Sequence, residues 1–160
     1  MSYFIRIFCQ SAQAIPRYNI GQFILDGAYF DGQPEFVPSL NDSESRLPNW
    51  EYFQVHYLPN YRPVVLMHNT DDGLFEAERD NLIDLIPRLV DAPIQHDLID
   101  NLMTTAQVIV IELDRENLSD EAWEMLDALE AYLAETLAGL VYAPDDGFYG
   151  SGLELLHKIG

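Results

Sequence analysis

The sequence predicts an α+β fold: a single mixed, mostly antiparallel sheet of about five to six strands, with about three to four helices packed mainly on one face. Three observations lead there. Residues 51–67 hold two apolar-rich runs on either side of Pro59-Asn60 and read as a β-hairpin. Residues 106–142 read as strand, helix and strand in close succession, a C-terminal βαβ unit whose strands should run parallel. The chain of 160 residues is 48% hydrophobic and has no repeat or linker, so residues 1–160 should form one globular domain with a sizeable core.

The elements follow in order. Tyr3 to Cys9 is dense in aromatic and β-branched residues, as suits a central strand buried on both faces. From Pro16 to Asp26, Ile20, Phe23 and Ile24 fall at helical spacing; Gly21 weakens that helix and Gly27 can close it. Residues 32–49 carry Pro34, Pro38 and Pro48 among Ser, Asn and Asp, an irregular connection with at most one short strand. Centring the hairpin turn on Pro59-Asn60 sets Val55 opposite Val64 and Phe53 opposite Leu66 on one apolar face. Pro63 has no amide hydrogen to donate, which argues either for an edge strand there or for a proline whose missing donor points outward.

Asp71-Asp72-Gly73 is a turn and cap signal ahead of Phe75, Leu82, Leu85, Ile86 and Leu89, a helical stripe that Pro87 should kink or end. Ile94, Leu98, Ile99 and Leu102 mark a second short helix. Ala106 to Leu113, with Val108, Ile109, Val110 and Ile111, form another central strand. Ser119, Asp120 and Glu121 then open the strongest helix, because a serine cap and two early acids satisfy its free amides and its dipole. Ala122, Leu126, Leu129, Leu133 and Leu137 are its apolar stripe, with Gly139 as C-cap. Leu140-Val141-Tyr142 continues as a strand, and Leu153 to Lys158 as a closing one.

Charge excludes whole classes of function. There are 27 acidic residues against 8 basic ones, a net charge of −19 and a pI near 4.1. Nucleic acid and anionic membrane surfaces would be repelled, and neither is expected as a partner. No apolar run is long enough for a membrane span, and Met1 to Phe8 is too short, and interrupted by Arg6, for a signal sequence. One cysteine, Cys9, allows no internal disulfide and fits a cytoplasmic protein.

The motifs favour bland readings. Asp145-Asp146-Gly147 and Asp71-Asp72-Gly73 lack the glutamate an EF-hand needs, since Leu153 and Arg79 stand in its place. Gly147, Gly150 and Gly152 could cradle a phosphate only if a helix followed. His56, His68, His96 and His157 have no metal-ligand spacing, and the hairpin register points His56 and His68 to opposite faces. His68 then lies opposite Glu51 as a cross-strand ion pair, and His96 pairs with Asp100 one turn away. Cys9 ends an apolar strand and is a small buried hydrophobe. No catalytic residue, cofactor or metal site is assigned.

The acidity is the most informative feature. Residues 1–60 carry a net charge of −3 and residues 61–160 carry −16. On the Ser119 helix, Asp120, Glu124, Asp127 and Glu135 share a face with Ala131, Ala134 and Ala138. The expected function is an interaction or regulatory module, in the manner of an immunity protein, antitoxin or inhibitor, that binds a basic partner through those four carboxylates. The alternative is a small-molecule binder or hydrolase-type enzyme built on the strand-end carboxylates Glu112 and Asp114 with Phe148 and Tyr149.

Overall fold

A computed structural model describes residues 2–70 and 73–159. In chain order these form β1 (Tyr3–Cys9), α1 (Arg17–Gly27), β2 (Glu35–Val37), β3 (Tyr52–His56), β4 (Val64–Asn69), α2 (Gly73–Leu89), α3 (Ala92–Met103), β5 (Gln107–Leu113), α4 (Asp120–Leu137), β6 (Gly139–Ala143), β7 (Gly147–Tyr149) and β8 (Leu155–Lys158). The strands make one eight-stranded sheet in the order β2-β3-β4-β5-β1-β6-β7-β8. Every neighbouring pair is antiparallel.

The α+β class holds, with differences in detail. The sheet has eight strands rather than five to six, because β2 and β7 are only three residues each. It is antiparallel throughout rather than mixed. β5 and β6 do run parallel, yet β1 is inserted between them and pairs antiparallel with both, so the βαβ strands are not neighbours. The hairpin register is the one the alternation requires, with Phe53 opposite Leu66 and Val55 opposite Val64. β4 is not an edge: it lies between β3 and β5, and Pro63 falls just before its first residue, where no ladder bond is lost.

The helices cover both faces of the sheet, not one. On the first face, Ile5, Ile7, Leu66, Ile109 and Ile111 pack against Ile20 and Ile24 of α1 and Leu126, Leu129 and Leu133 of α4. On the second, Phe8, Val108, Val110 and Leu140 pack against Leu82 and Ile86 of α2 and Leu98 and Leu102 of α3. The reason lies in the strands themselves. Successive residues point to opposite faces, and β1 and β5 are apolar at nearly every position, so each face needs a cover.

Local chemistry sets the helix ends. The Ser119 hydroxyl accepts the Ala122 amide at 3.2 Å and caps α4. At the other end Ala138, not Gly139, takes the left-handed conformation, with φ of 52°. Gly139 serves a different need, since a Cβ there would come within 2.5 Å of Ile7 Cγ2 on the neighbouring strand. α2 runs on through Pro87 and ends at Leu89, two residues later. α1 and α4 lie side by side, joined by the stacked rings of Phe23 and Tyr132 with centroids 4.3 Å apart. Among the described residues no helix is long and apolar enough to cross a membrane.

Candidate functional site

α4 turns its leucine stripe to the sheet and its outermost carboxylates to solvent; a third flank remains between the two. Trp123, Asp127 and Glu130 lie on it at a spacing of four and three residues, which places them on one line of the helix surface. That flank overhangs the sheet where β1, β6 and β7 present Tyr3, Ile5, Val141, Ala143 and Tyr149. The result is an open cleft of about 310 Å³, completed by Arg115 from the β5–α4 loop and Asp146 from the β6–β7 turn.

The polar groups of the cleft are fixed by neighbours. The Tyr3 hydroxyl donates to the Pro144 carbonyl at 2.6 Å, and the Tyr149 hydroxyl donates to Asp146 Oδ1 at 3.0 Å. The Arg115 guanidinium lies over the Tyr3 ring, 3.8 Å from its centroid. Burial is the main cause that pushes the Glu130 carboxyl up to about 8, and the nearby Asp127 and Asp146 charges push the same way. Burial likewise raises Tyr3 to about 12, against the lowering effect of the Arg115 cation. Tyr149 is raised by burial first and then by its hydrogen bond to Asp146.

The four carboxylates expected on α4 are all exposed: Asp120, Glu124, Asp127 and Glu135. Asp127 also lines the cleft, so the acidic surface runs into it. The small-residue surface expected beside them is interrupted, because Ala134 is buried against the core rather than presented to solvent.

The strand-end set Glu112, Asp114, Phe148 and Tyr149 is not brought together. Glu112 accepts the Ser2 hydroxyl at 2.7 Å and shares its strand face with Val108 and Val110. Asp114 pairs with Arg62 at 3.5 Å and accepts the Glu116 amide at 3.1 Å. Phe148 is fully buried and stacks on Tyr142, while Tyr149 faces the other side of the sheet, into the cleft.

The remaining motifs are accounted for by structure. His56 and His68 lie on opposite faces, as the register requires. His68 is not an ion pair with Glu51, although the two stand opposite through a backbone bond of 3.1 Å. Its ring is buried, stacked on Trp50, with Nε2 2.7 Å from Gln107 Oε1. Gln107 gives its amide hydrogens to the carbonyls of Ser11 and Gln13, so its Oε1 is the acceptor and His68 Nε2–H the donor. His96 and Asp100 pair at 3.1 Å on the exposed side of α3.

Cys9 is fully buried, and burial pushes its thiol up to about 12. Asp145-Asp146-Gly147 is the β6–β7 turn, with Asp145 at φ of 65°; Asp71 and Asp72 lie outside the described residues. The glycine-rich loop leads into strand β8, and its Gly152 amide is taken by Glu154 at 3.0 Å. Among the described residues no three His, Cys, Asp or Glu side chains are grouped to hold a metal ion.

Sequence reasoning does not single out Glu130, Trp123, Arg115 or Tyr3, and it reads Asp146 only as part of a turn. One signal was present, a tryptophan and two acids at helical spacing on a line that the leucine stripe leaves out. No family model, curated protein or solved structure matches the chain.

Proposed function

We propose that this protein is an interaction or regulatory module that binds a basic protein partner through the acidic surface of α4, in the manner of an immunity protein, antitoxin or inhibitor. The observation that carries the reading is the continuity of that surface. Asp120, Glu124, Asp127 and Glu135 are exposed on one helix, and Asp127 joins them to a concave, aromatic-walled cleft that holds two further carboxylates. A chain with a net charge of −19 steers cationic partners toward such a surface and repels nucleic acid. A hydrolase working through Glu112 and Asp114 has less support, because the two are engaged by Ser2 and Arg62 and stand apart from the aromatic residues meant to serve them.

The test is affinity purification of a partner at low salt. The expected partner is a basic protein that co-elutes stoichiometrically and is released near 1 M salt, where the screening length falls to about 3 Å. Retention should be lost with a variant carrying Asp120→Asn, Glu124→Gln, Asp127→Asn and Glu135→Gln. Equal retention of that partner by the variant would remove α4 from the interaction.

A further inference from the structure

We infer that the cleft beside α4 is an anchor pocket for the guanidinium of an arginine side chain on a basic protein partner. This rests on the interaction reading above and narrows it to one pocket and one chemistry. Three kinds of feature converge on it. The walls are aromatic, with Trp123, Tyr3 and Tyr149 among the lining side chains, a surface that suits a flat cation. The side chain of Glu130 is half-buried, and among the described residues nothing donates to its carboxyl or pairs with it. The fold also holds a guanidinium on one wall already, since Arg115 sits 3.8 Å above the Tyr3 ring and no described carboxylate pairs with it.

The charges in the cleft are unbalanced once Glu130 is ionised, above about pH 8: Glu130, Asp127 and Asp146 then face one cation, Arg115, and the two tyrosines are neutral. A second cation would neutralise part of that excess and give Glu130 the partner it lacks. Arginine fits better than lysine, because a guanidinium is planar, stacks on rings, and is less strongly hydrated than an ammonium. Arg115 is exposed at the mouth of the cleft, so it competes with the incoming cation rather than assisting it.

The probe is Nα-acetyl-arginine amide, titrated at pH 8.5 and followed by the Trp123 indole and Glu130 amide resonances. Saturable shifts confined to the cleft are expected, with none for the uncharged citrulline analogue and weaker binding of Nα-acetyl-lysine amide and of spermidine. Glu130→Gln, checked for a dispersed folded spectrum, should weaken binding at least about tenfold, as loss of one partner of a desolvated pair does. Arg115→Gln should tighten it about threefold by removing the competitor. Wild-type affinity should fall between pH 8.5 and pH 6, and that of Glu130→Gln should not change.

The inference is overturned if the citrulline analogue shifts the same resonances, if Glu130→Gln binds as wild type, if spermidine binds more tightly, or if shifts appear only at Glu124 and Glu135. The two readings fail separately. A cleft that ignores arginine, with partner retention still dependent on the exposed α4 carboxylates, removes this inference alone. A cleft that takes arginine, with retention independent of those carboxylates, removes the α4 surface instead.

Discussion

At the scale of single residues, Glu130 is the group whose environment departs most from what its type prefers. Its carboxyl is raised from 4.5 to about 8, by burial first and then by Asp127 on its own helix and Asp146 across the cleft. Tyr3, Tyr149 and Arg115 are the other titratable or charged groups lining the cleft. Below pH 4.5 both folded and unfolded chains hold the proton. Between 4.5 and about 8 the unfolded chain releases it while the fold retains it, so stability falls as pH rises and levels off above 8. A glutamine keeps the neutral form at every pH. Glu130→Gln should therefore match wild type near pH 4.5 and exceed it by on the order of 2 kcal/mol at pH 8.5 in urea titrations. Parallel profiles for the two proteins would mean that the carboxyl is solvated in both states.

The elements differ in how far the chain announces them. The β3–β4 pairing was legible because period-two alternation admits only one register that buries Phe53, Val55, Val64 and Leu66 together. α4 was legible because Ser119 and the leucine stripe agree. β2 and β7, at three residues each, are too short to show a period of their own and exist by pairing with β3 and β6. Gly139 was legible as a glycine and misread in its purpose. Sequence offers a C-cap, whereas the structure uses the missing side chain to let β6 approach Ile7, a contact that depends on β1 having entered between β5 and β6. Gly139→Ala should cost on the order of 1–3 kcal/mol through overpacking. Gly32 is a fair control, because a methyl added there would meet nothing within 4 Å, and Gly32→Ala should fall within about 0.5 kcal/mol of wild type. Equal thermal shifts for the two variants would show that Ile7 yields freely.

At the scale of the whole molecule, the insertion of β1 decides both the layering and the cleft. It places Tyr3 beside β6 and under α4, near residues more than a hundred positions away, and no local pattern records that. Asp127 could be read from the helix alone; Tyr3, Arg115 and Asp146 become neighbours only when the sheet is assembled. The net charge of −19, by contrast, is fixed by composition and acts whatever the fold. Confined to one compact body, like charges repel more than in the open chain, so the folded state bears a cost that salt should relieve. Wild-type urea midpoints should rise between about 20 mM and 500 mM salt, over which the screening length shrinks to a few ångströms. Replacing Glu124, Asp127 and Glu135 together with Gln, Asn and Gln removes three exposed carboxylates while leaving Leu126, Leu129 and Leu133 in the core. That variant should begin above wild type at low salt, rise less, and meet it at high salt. Curves that stay parallel would instead place the repulsion elsewhere on the C-terminal 100 residues, and the surplus of acid along α4 would then be carried without a measurable cost to the fold.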